Sequence, residues 1–163
     1  MVVLKGGWSA ERAVSLRTGA AVESALRSRH VKVSALDVRR DTVRRLVRLR
    51  PGGRDIAFIA LHGEFGEDGQ VQGLLESLGI PYTGSGVLAS ALAMHKPVSR
   101  RVLEHAGIPA PPWQAISRRD DETAAARRLG YPVVVKPAAQ GSAVGVSIVH
   151  RPADLARAVS RAR

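Results

Sequence analysis

Residues 133–149 read VVVKPAAQGSAVGVSIV, a pattern that predicts a strand, a loop and a second strand. The β-branched run at each end has the composition of a short strand. Between the two runs, Gly141 and Gly145 permit positive φ angles, so the loop can fold closely over a ligand. Backbone N–H groups in such a loop bind anions, and Lys136 adds a positive charge beside it. The stretch is typical of a nucleotide-phosphate site, although a plain Gly/Ser hairpin with an exposed lysine accounts for these residues about equally well.

The first 95 residues alternate between apolar runs and amphipathic patterns, which is typical of α/β proteins. The continuous apolar run Ile56–Leu61 predicts a strand buried on both faces of a parallel sheet. Ser9 is positioned to cap the first helix, and a Pro-Gly-Gly segment at residues 51–53 is expected to stop the second. Strands are predicted at residues 2–4, 31–36, 56–61 and 80–84, and helices at residues 10–28, 41–49, 71–78 and 86–94.

A second region begins near Lys96, because Pro97 favours the first turn of a new helix. We therefore expect residues 1–95 to form an α/β domain with a mainly parallel sheet flanked by helices. Residues 96–163 are expected to form the incomplete start of an α+β domain. In this region, strands are predicted at residues 113–116, 133–135 and 146–149, and helices at residues 97–105, at 121–129 and from residue 153.

The composition excludes several classes of protein. The chain has 163 residues and no cysteine, so disulfides and thiolate metal sites are excluded. Its N-terminus contains too short an apolar run for a signal peptide, and no later run reaches the ~18 apolar residues of a membrane span. These features predict a soluble cytoplasmic protein that does not bind membranes.

The formal net charge of +11 raises the alternative of a nucleic-acid binder. Most of the basic residues are arginines that fall on the predicted polar faces of helices. Aromatic residues make up only 4% of the chain, whereas a surface that binds single strands needs aromatic rings beside the charge. We therefore expect no nucleic-acid partner.

Two further glycine-rich loops contain side chains suited to catalysis or binding. Residues 6–16 read GGWSAERAVSL, and residues 61–75 read LHGEFGEDGQVQGLL. The second loop follows a predicted parallel strand, at the carboxyl edge where α/β sheets bind ligands. Each loop also has a plain structural interpretation. Glu11 would be favoured by the dipole of the first helix turn whatever its function, and a single strand-end histidine such as His62 is more often structural.

The three loops, at residues 6–16, 61–75 and 133–149, closely resemble those of the D-alanine–D-alanine ligases of the ATP-grasp superfamily. The segments GIPYTGS at residues 79–85 and MHK at residues 94–96 lie between them in the same order as in that family. The resemblance extends from Leu4 to about Val149. It implies a substrate-binding pre-ATP-grasp domain over residues 1–95 and a partial ATP-grasp domain over residues 96–163. It also implies a ligase that phosphorylates one D-alanine with ATP and Mg²⁺. The amine of a second D-alanine then attacks the acyl phosphate, which yields D-alanyl-D-alanine for peptidoglycan precursors. Members of the family are typically homodimeric.

The resemblance also implies roles for individual residues. Glu11 matches the glutamate that binds the ammonium group of the first D-alanine, and Val14 matches a residue that packs against the same substrate. His62 matches the histidine near the substrate and the transferring phosphate. Ser142 matches the serine that links the glycine loop to Glu11 and orients the first substrate. We therefore expect Glu11 and Ser142 to act in catalysis, and all four residues to bind substrate.

The ATP-binding residues implied in the same way are Lys96, Lys136, Gly141, Ser142 and Gly145, whereas Glu67 and Asp68 match residues that tie their loop together. Ala143 departs from the family, which usually has a second serine there. The family's magnesium ligands and catalytic arginine would follow Arg163, so no metal ligand is expected within this sequence. The chain alone is therefore expected to be inactive. Two alternatives remain, namely a non-catalytic binding fragment and a relative that joins D-alanine to D-lactate or D-serine.

Overall fold

The computed structural model describes residues 1–41, 43–46 and 56–163. Residues 42 and 47–49 of the second predicted helix and its predicted stop at residues 51–53 lie outside the described residues. The chain forms two compact units, Met1–Met94 and His95–Arg163. None of the helices in the described ranges is long and apolar enough to cross a membrane.

A parallel sheet of three strands forms the centre of the first unit. Strand β1 (Val2–Gly6) lies between β2 (Ser34–Val38) and β3 (Ala57–Ile59). Strand β2 begins later than predicted, because its register with β1 starts at the pair Val2–Ser34. The strand predicted at residues 80–84 is reduced to one parallel bridge between Tyr82 and Ala57. The predicted α/β fold with a mainly parallel sheet is confirmed.

Helices cover this sheet, and apolar side chains from strands, helices and loops form its core. The helices are α1 (Arg12–Ser28), the short α2 (Val43–Leu46), α3 (Gln70–Ser77) and α4 (Val87–Met94). The largest fully buried apolar side chains of this unit are Leu4, Leu46, Leu75, Val3, Val38 and Val71.

Helix α1 packs closely on β1 through its small buried residues Ser15 and Gly19. A Cβ atom on Gly19 would lie 2.5 Å from the Cβ of Lys5. Because β1 ends at Gly6 and α1 begins at Arg12, the first turn of the helix lies at the carboxyl edge of the sheet.

The second unit packs helices against a two-stranded antiparallel sheet. Its elements are α5 (Lys96–His105), α6 (Glu122–Leu129), β4 (Val133–Val135), β5 (Ser147–Val149), a 3-10 turn at Pro152–Asp154 and α7 (Leu155–Ala162). Val133 pairs with Val149, and this face of the sheet is buried together with Leu155 and Val159. The segment between the strands is a loop, as the opening stretch predicts.

Two local predictions were wrong. Residues 113–116 do not form a strand, since they have no ladder partner among the described residues, and Ile116 instead packs against the apolar cluster of the second unit. Ser9 is not the N-cap of α1, which is Glu11. The Ser9 hydroxyl accepts a hydrogen bond from the N–H of Glu11 (3.2 Å), two residues along, and so acts within the turn that precedes the helix.

Candidate functional site

A buried carboxylate marks the start of α1. Gly6 and Gly7, both with positive φ, turn the chain from β1 toward the helix, and Glu11 follows as the N-cap residue. Glu11 is only 2% exposed, and its Oε2 atom has no hydrogen-bond partner among the described residues. Buried carboxylates normally have hydrogen-bond or ionic partners, because removing a charge from water is costly. The arrangement suits a ligand with an ammonium group, which would form a charge-assisted bond.

The loop that follows β3 lies directly against this carboxylate. A Cβ atom on Gly63 would lie 2.4 Å from Glu11 Oε2 and 3.1 Å from Ser9 Oγ, and Gly63 has a φ of +68°. Glycine is therefore required at this position for two reasons, the space beside the carboxylate and the left-handed backbone. The structure thus brings together the two glycine-rich loops of the first unit.

His62 is held at both ring nitrogens. Its Nε2 lies 3.2 Å from Thr18 Oγ1 of α1, and its Nδ1 lies 3.4 Å from Glu67 Oε1 of its own loop. The other oxygen of Glu67 accepts a hydrogen bond from the N–H of Gly63 (2.8 Å). These contacts fix the orientation of the imidazole, as carboxylate and hydroxyl partners do in other histidine sites.

Asp68 stabilises the remainder of this loop. It accepts hydrogen bonds from the N–H groups of Phe65 (2.8 Å) and Gln70 (3.1 Å). Glu67 and Asp68 are thus both bonded to the backbone of the loop, as expected for residues that tie it together.

Two residues of this site have contacts that the sequence did not predict. Ser9 was expected to cap α1, and Thr18, which contacts His62, has no predicted role. A signal for Thr18 was available, because positions 11, 15 and 18 lie on one face of a helix at spacings of four and seven residues. Val14 is half-buried on α1, three residues after Glu11.

In the second unit, Lys96 is bonded to the loop between the strands. Its N–H donates to the carbonyl of Ala138 (2.9 Å), and its ammonium group donates to the carbonyl of Gln140. Lys96 therefore connects the start of α5 to the residues just before Gly141. Lys136 is exposed at the end of β4.

The glycine loop turns tightly through residues with positive φ. Ser142 (φ 43°) and Ala143 (φ 59°) adopt a left-handed backbone that is uncommon for residues with a Cβ atom. Gly145 also has positive φ, and a Cβ atom there would lie 2.8 Å from the Cγ of Pro137. The loop therefore packs closely against the segment that leaves β4, while Ser142 itself is exposed and Gly141 is half-buried.

An open groove with a volume of ≈ 1220 Å³ lies beside β4 in this unit. Its lining includes five basic side chains and one carboxylate, Glu122, so its charge favours an anionic ligand. Among the sequence-predicted residues, Lys96, Lys136 and Gly145 line the groove, whereas Gly141 and Ser142 do not. The other three basic side chains of the lining are Arg100, Arg161 and Arg163.

Two sequence models of one ligase family match the chain in succession. The model of the D-ala D-ala ligase N-terminus matches residues 42–85, and that of the D-ala D-ala ligase C-terminus matches residues 102–163. The D-alanine–D-alanine ligase of Desulforudis audaxviator is 57% identical over 155 residues, which are 94% of this chain and 50% of the relative. That of Geobacter sulfurreducens is 53% identical over 160 residues, which are 98% of this chain and 50% of the relative. The chain thus spans about half the length of the curated relatives it matches.

Solved structures show the same similarity. The crystal structure of the D-alanine–D-alanine ligase of Bacillus anthracis matches 98% of this chain and 52% of its own, with a TM-score of 0.80 and 38% sequence identity. A structure of that ligase complexed with ATP matches with a TM-score of 0.77 and 36% identity, over 98% of this chain and 53% of its own. Since both family models, the curated relatives and the solved structures agree, the chain belongs to the D-alanine–D-alanine ligase family.

Proposed function

We propose that the protein to which this chain belongs is a cytoplasmic, ATP-dependent D-alanine–D-alanine ligase that makes a peptidoglycan precursor. The observation that supports it most is the buried carboxylate of Glu11, which lies against Gly63 and whose Oε2 finds no hydrogen-bond partner in the described part of the chain. A site for an amino acid needs such a carboxylate, because the substrate enters with a charged ammonium group. The family membership supports the reaction type. A homodimeric state is proposed from the family resemblance alone.

In this proposal, residues 1–95 are the substrate-binding domain. Glu11 binds the ammonium group of the first D-alanine, and Val14 packs against that substrate. His62, held by Thr18 and Glu67, lies near the reacting carboxylate. A fixed imidazole there contributes to catalysis, because a donor that is already oriented toward developing charge needs no reorganisation during the reaction.

Residues 96–163 would form part of the ATP-grasp domain. Lys96, Lys136 and the backbone at Gly141, Ser142 and Gly145 would hold the phosphates of ATP. The basic lining of the groove supports this, since phosphate groups favour lysine and backbone N–H donors. Ser142 would additionally orient the first D-alanine through Glu11, and this part of the proposal comes from the resemblance alone.

Magnesium is the part of the proposal that the described residues do not support. In the described ranges, no three His, Asp or Glu side chains are grouped so that they could hold a metal ion. Phosphoryl transfer needs fixed cations at the transferring group. In other enzymes, the loss of a single electrostatic donor lowers the rate by ~10²–10³-fold. We therefore propose that this chain by itself binds D-alanine and ATP weakly and does not turn over.

Titration of the purified chain with D-alanine, followed by NMR, tests the proposal. We expect saturable shifts at the Glu11 and Gly63 amides with D-alanine and much weaker ones with L-alanine. Glu11→Gln should abolish the shifts, because it removes the charge that binds the ammonium group, whereas Glu76→Gln on α3 serves as the matched control.

A phosphate-release assay with ATP, magnesium and D-alanine tests activity of the chain alone. Turnover near ~1 s⁻¹, the lower end of ordinary enzymes, would contradict the proposed inactivity. D-alanine binding that survives Glu11→Gln would contradict the proposed site.

A further inference from the structure

Ser9 lies in the turn between β1 and α1, and its hydroxyl makes two contacts that join separate parts of the site. It donates a hydrogen bond to the carbonyl of His62 (2.7 Å), 53 residues away in the sequence, and accepts one from the N–H of Glu11 (3.2 Å). One hydroxyl group therefore bonds to the backbone of two of the residues that are proposed to bind substrate, Glu11 and His62.

The surroundings leave little freedom for these backbones to shift. Ser9 Oγ and Glu11 Oε2 both lie close to the point where a Cβ atom of Gly63 would stand, at 3.1 Å and 2.4 Å respectively. Among the described contacts, the side chain of the N-cap residue Glu11 does not cap helix α1, and the turn at Ser9 instead bonds to the N–H groups of Glu11 and Arg12. The hydrogen bonds of Ser9 therefore set the position of Glu11 relative to the loop after β3.

We infer that Ser9 is a positioning residue that holds Glu11 and His62 at the separation needed to bind D-alanine. The inference rests on the proposed function, because it concerns the same site. Ser9 acts through the backbone of its two neighbours, and this role requires no contact with the substrate. Loss of its hydroxyl frees both backbones. In enzymes, a displacement of about 1 Å in a site is enough to lower the reaction rate by on the order of 10²-fold.

The test compares Ser9→Ala, Ser9→Cys and Ser9→Thr in the intact chain. Alanine removes the hydroxyl, cysteine keeps a similar size with a much weaker donor, and threonine keeps the hydroxyl. We expect Ser9→Ala and Ser9→Cys to bind D-alanine about 10- to 100-fold more weakly. This is the range found when residues that orient the metal-binding side chains of other proteins are replaced. Ser9→Thr should stay close to wild type. Ser28→Ala is the matched control, because the Ser28 hydroxyl is exposed and bonds only within α1 among the contacts of the described residues.

Amide hydrogen exchange distinguishes positioning from general stability. Exchange at Glu11 N–H should accelerate in Ser9→Ala and Ser9→Cys, while amides in the core of β1 keep their wild-type protection. Ser9→Ala or Ser9→Cys binding within twofold of wild type would overturn the inference and leave the proposed function intact. A wild-type chain that does not bind D-alanine would instead contradict the proposed function, and the inference would fall with it.

Discussion

Replacement of Ser15 by alanine tests whether α1 is fastened to the sheet as described. Ser15 is fully buried on α1. Its hydroxyl donates to the carbonyl of Ala60 (2.7 Å) after β3 and accepts from the N–H of Gly6 (2.8 Å) at the end of β1. Alanine fits the same space but has no polar atom, so both backbone groups would lose this partner.

The expected loss of stability follows from the burial of the two backbone groups that Ser15 contacts. An unpaired polar group in a protein interior costs ~1–3 kcal/mol, and Ser15→Ala leaves one donor and one acceptor in that state. We therefore expect the free energy of unfolding of the first unit to fall by about 2–6 kcal/mol. Domains of this size have a total stability of roughly 5–15 kcal/mol, so the loss should be large and easily measured.

Urea unfolding followed by tryptophan fluorescence provides the assay. Trp8 stacks on Phe65 in the first unit, with ring centroids 4.4 Å apart, and its emission should report the unfolding of that unit. The only other tryptophan is Trp113, so a Trp113→Phe background isolates the signal. Ser28→Ala is again the control, since its hydroxyl is exposed.

The reasoning would be refuted if Ser15→Ala lay within about 0.5 kcal/mol of the control, the range of ordinary surface substitutions. That result would mean that Gly6 N–H and the Ala60 carbonyl have other partners, and that α1 does not depend on Ser15 for its contact with the sheet. A fall in stability with an unchanged urea m-value would support it, because the surface exposed on unfolding would be the same.

Two further predictions concern charge and backbone conformation. The hydrogen bond from Arg12 holds the pKa of Asp37 below its usual value, so the stabilisation by this pair is complete above about pH 3.9, the usual value for unfolded chains, and is lost as pH falls through the folded pKa. Unfolding free energies measured from about pH 2 to pH 6 should show a shallower acid decline in Asp37→Asn, and an identical decline would contradict the assignment. Gly145→Ala should destabilise the second unit more than Gly107→Ala, because both have φ near +72° but only Gly145 would clash, with Pro137. Thermal melting compares the two variants, and equal losses would show that backbone strain alone matters.

Local signals in the sequence were sufficient for most helices. Helix α3 was predicted at residues 71–78 and is observed at Gln70–Ser77, because Gly79 with positive φ ends it. Helix α6 begins after Asp121, whose carboxylate accepts from the N–H groups of Thr123 and Ala124. Capping and stop residues act within one turn, so they can be recognised without knowledge of the fold.

Strands were predicted less well, because a strand depends on a partner elsewhere in the chain. The segment at residues 113–116 has β-branched and aromatic character but pairs with no strand among the described residues, whereas β2 is shifted by its register with β1. The segment predicted at residues 80–84 meets the sheet in one described bridge, between Tyr82 and Ala57.

The sequence alone was sufficient for the α/β class, through its periodicity, and for the family, through the resemblance of its motifs. It also indicated most of the candidate site residues, although not Thr18, because such patterns are local properties. Only the tertiary structure decided which of these residues meet. The close approach of Glu11 Oε2 to Gly63, and the Ser9 hydroxyl shared between Glu11 and His62, join segments about 50 residues apart. Such contacts depend on how closely α1 packs on β1 and where the loop after β3 turns. Those distances are set by the volumes of buried side chains across the whole unit, so they cannot be predicted from a local sequence pattern.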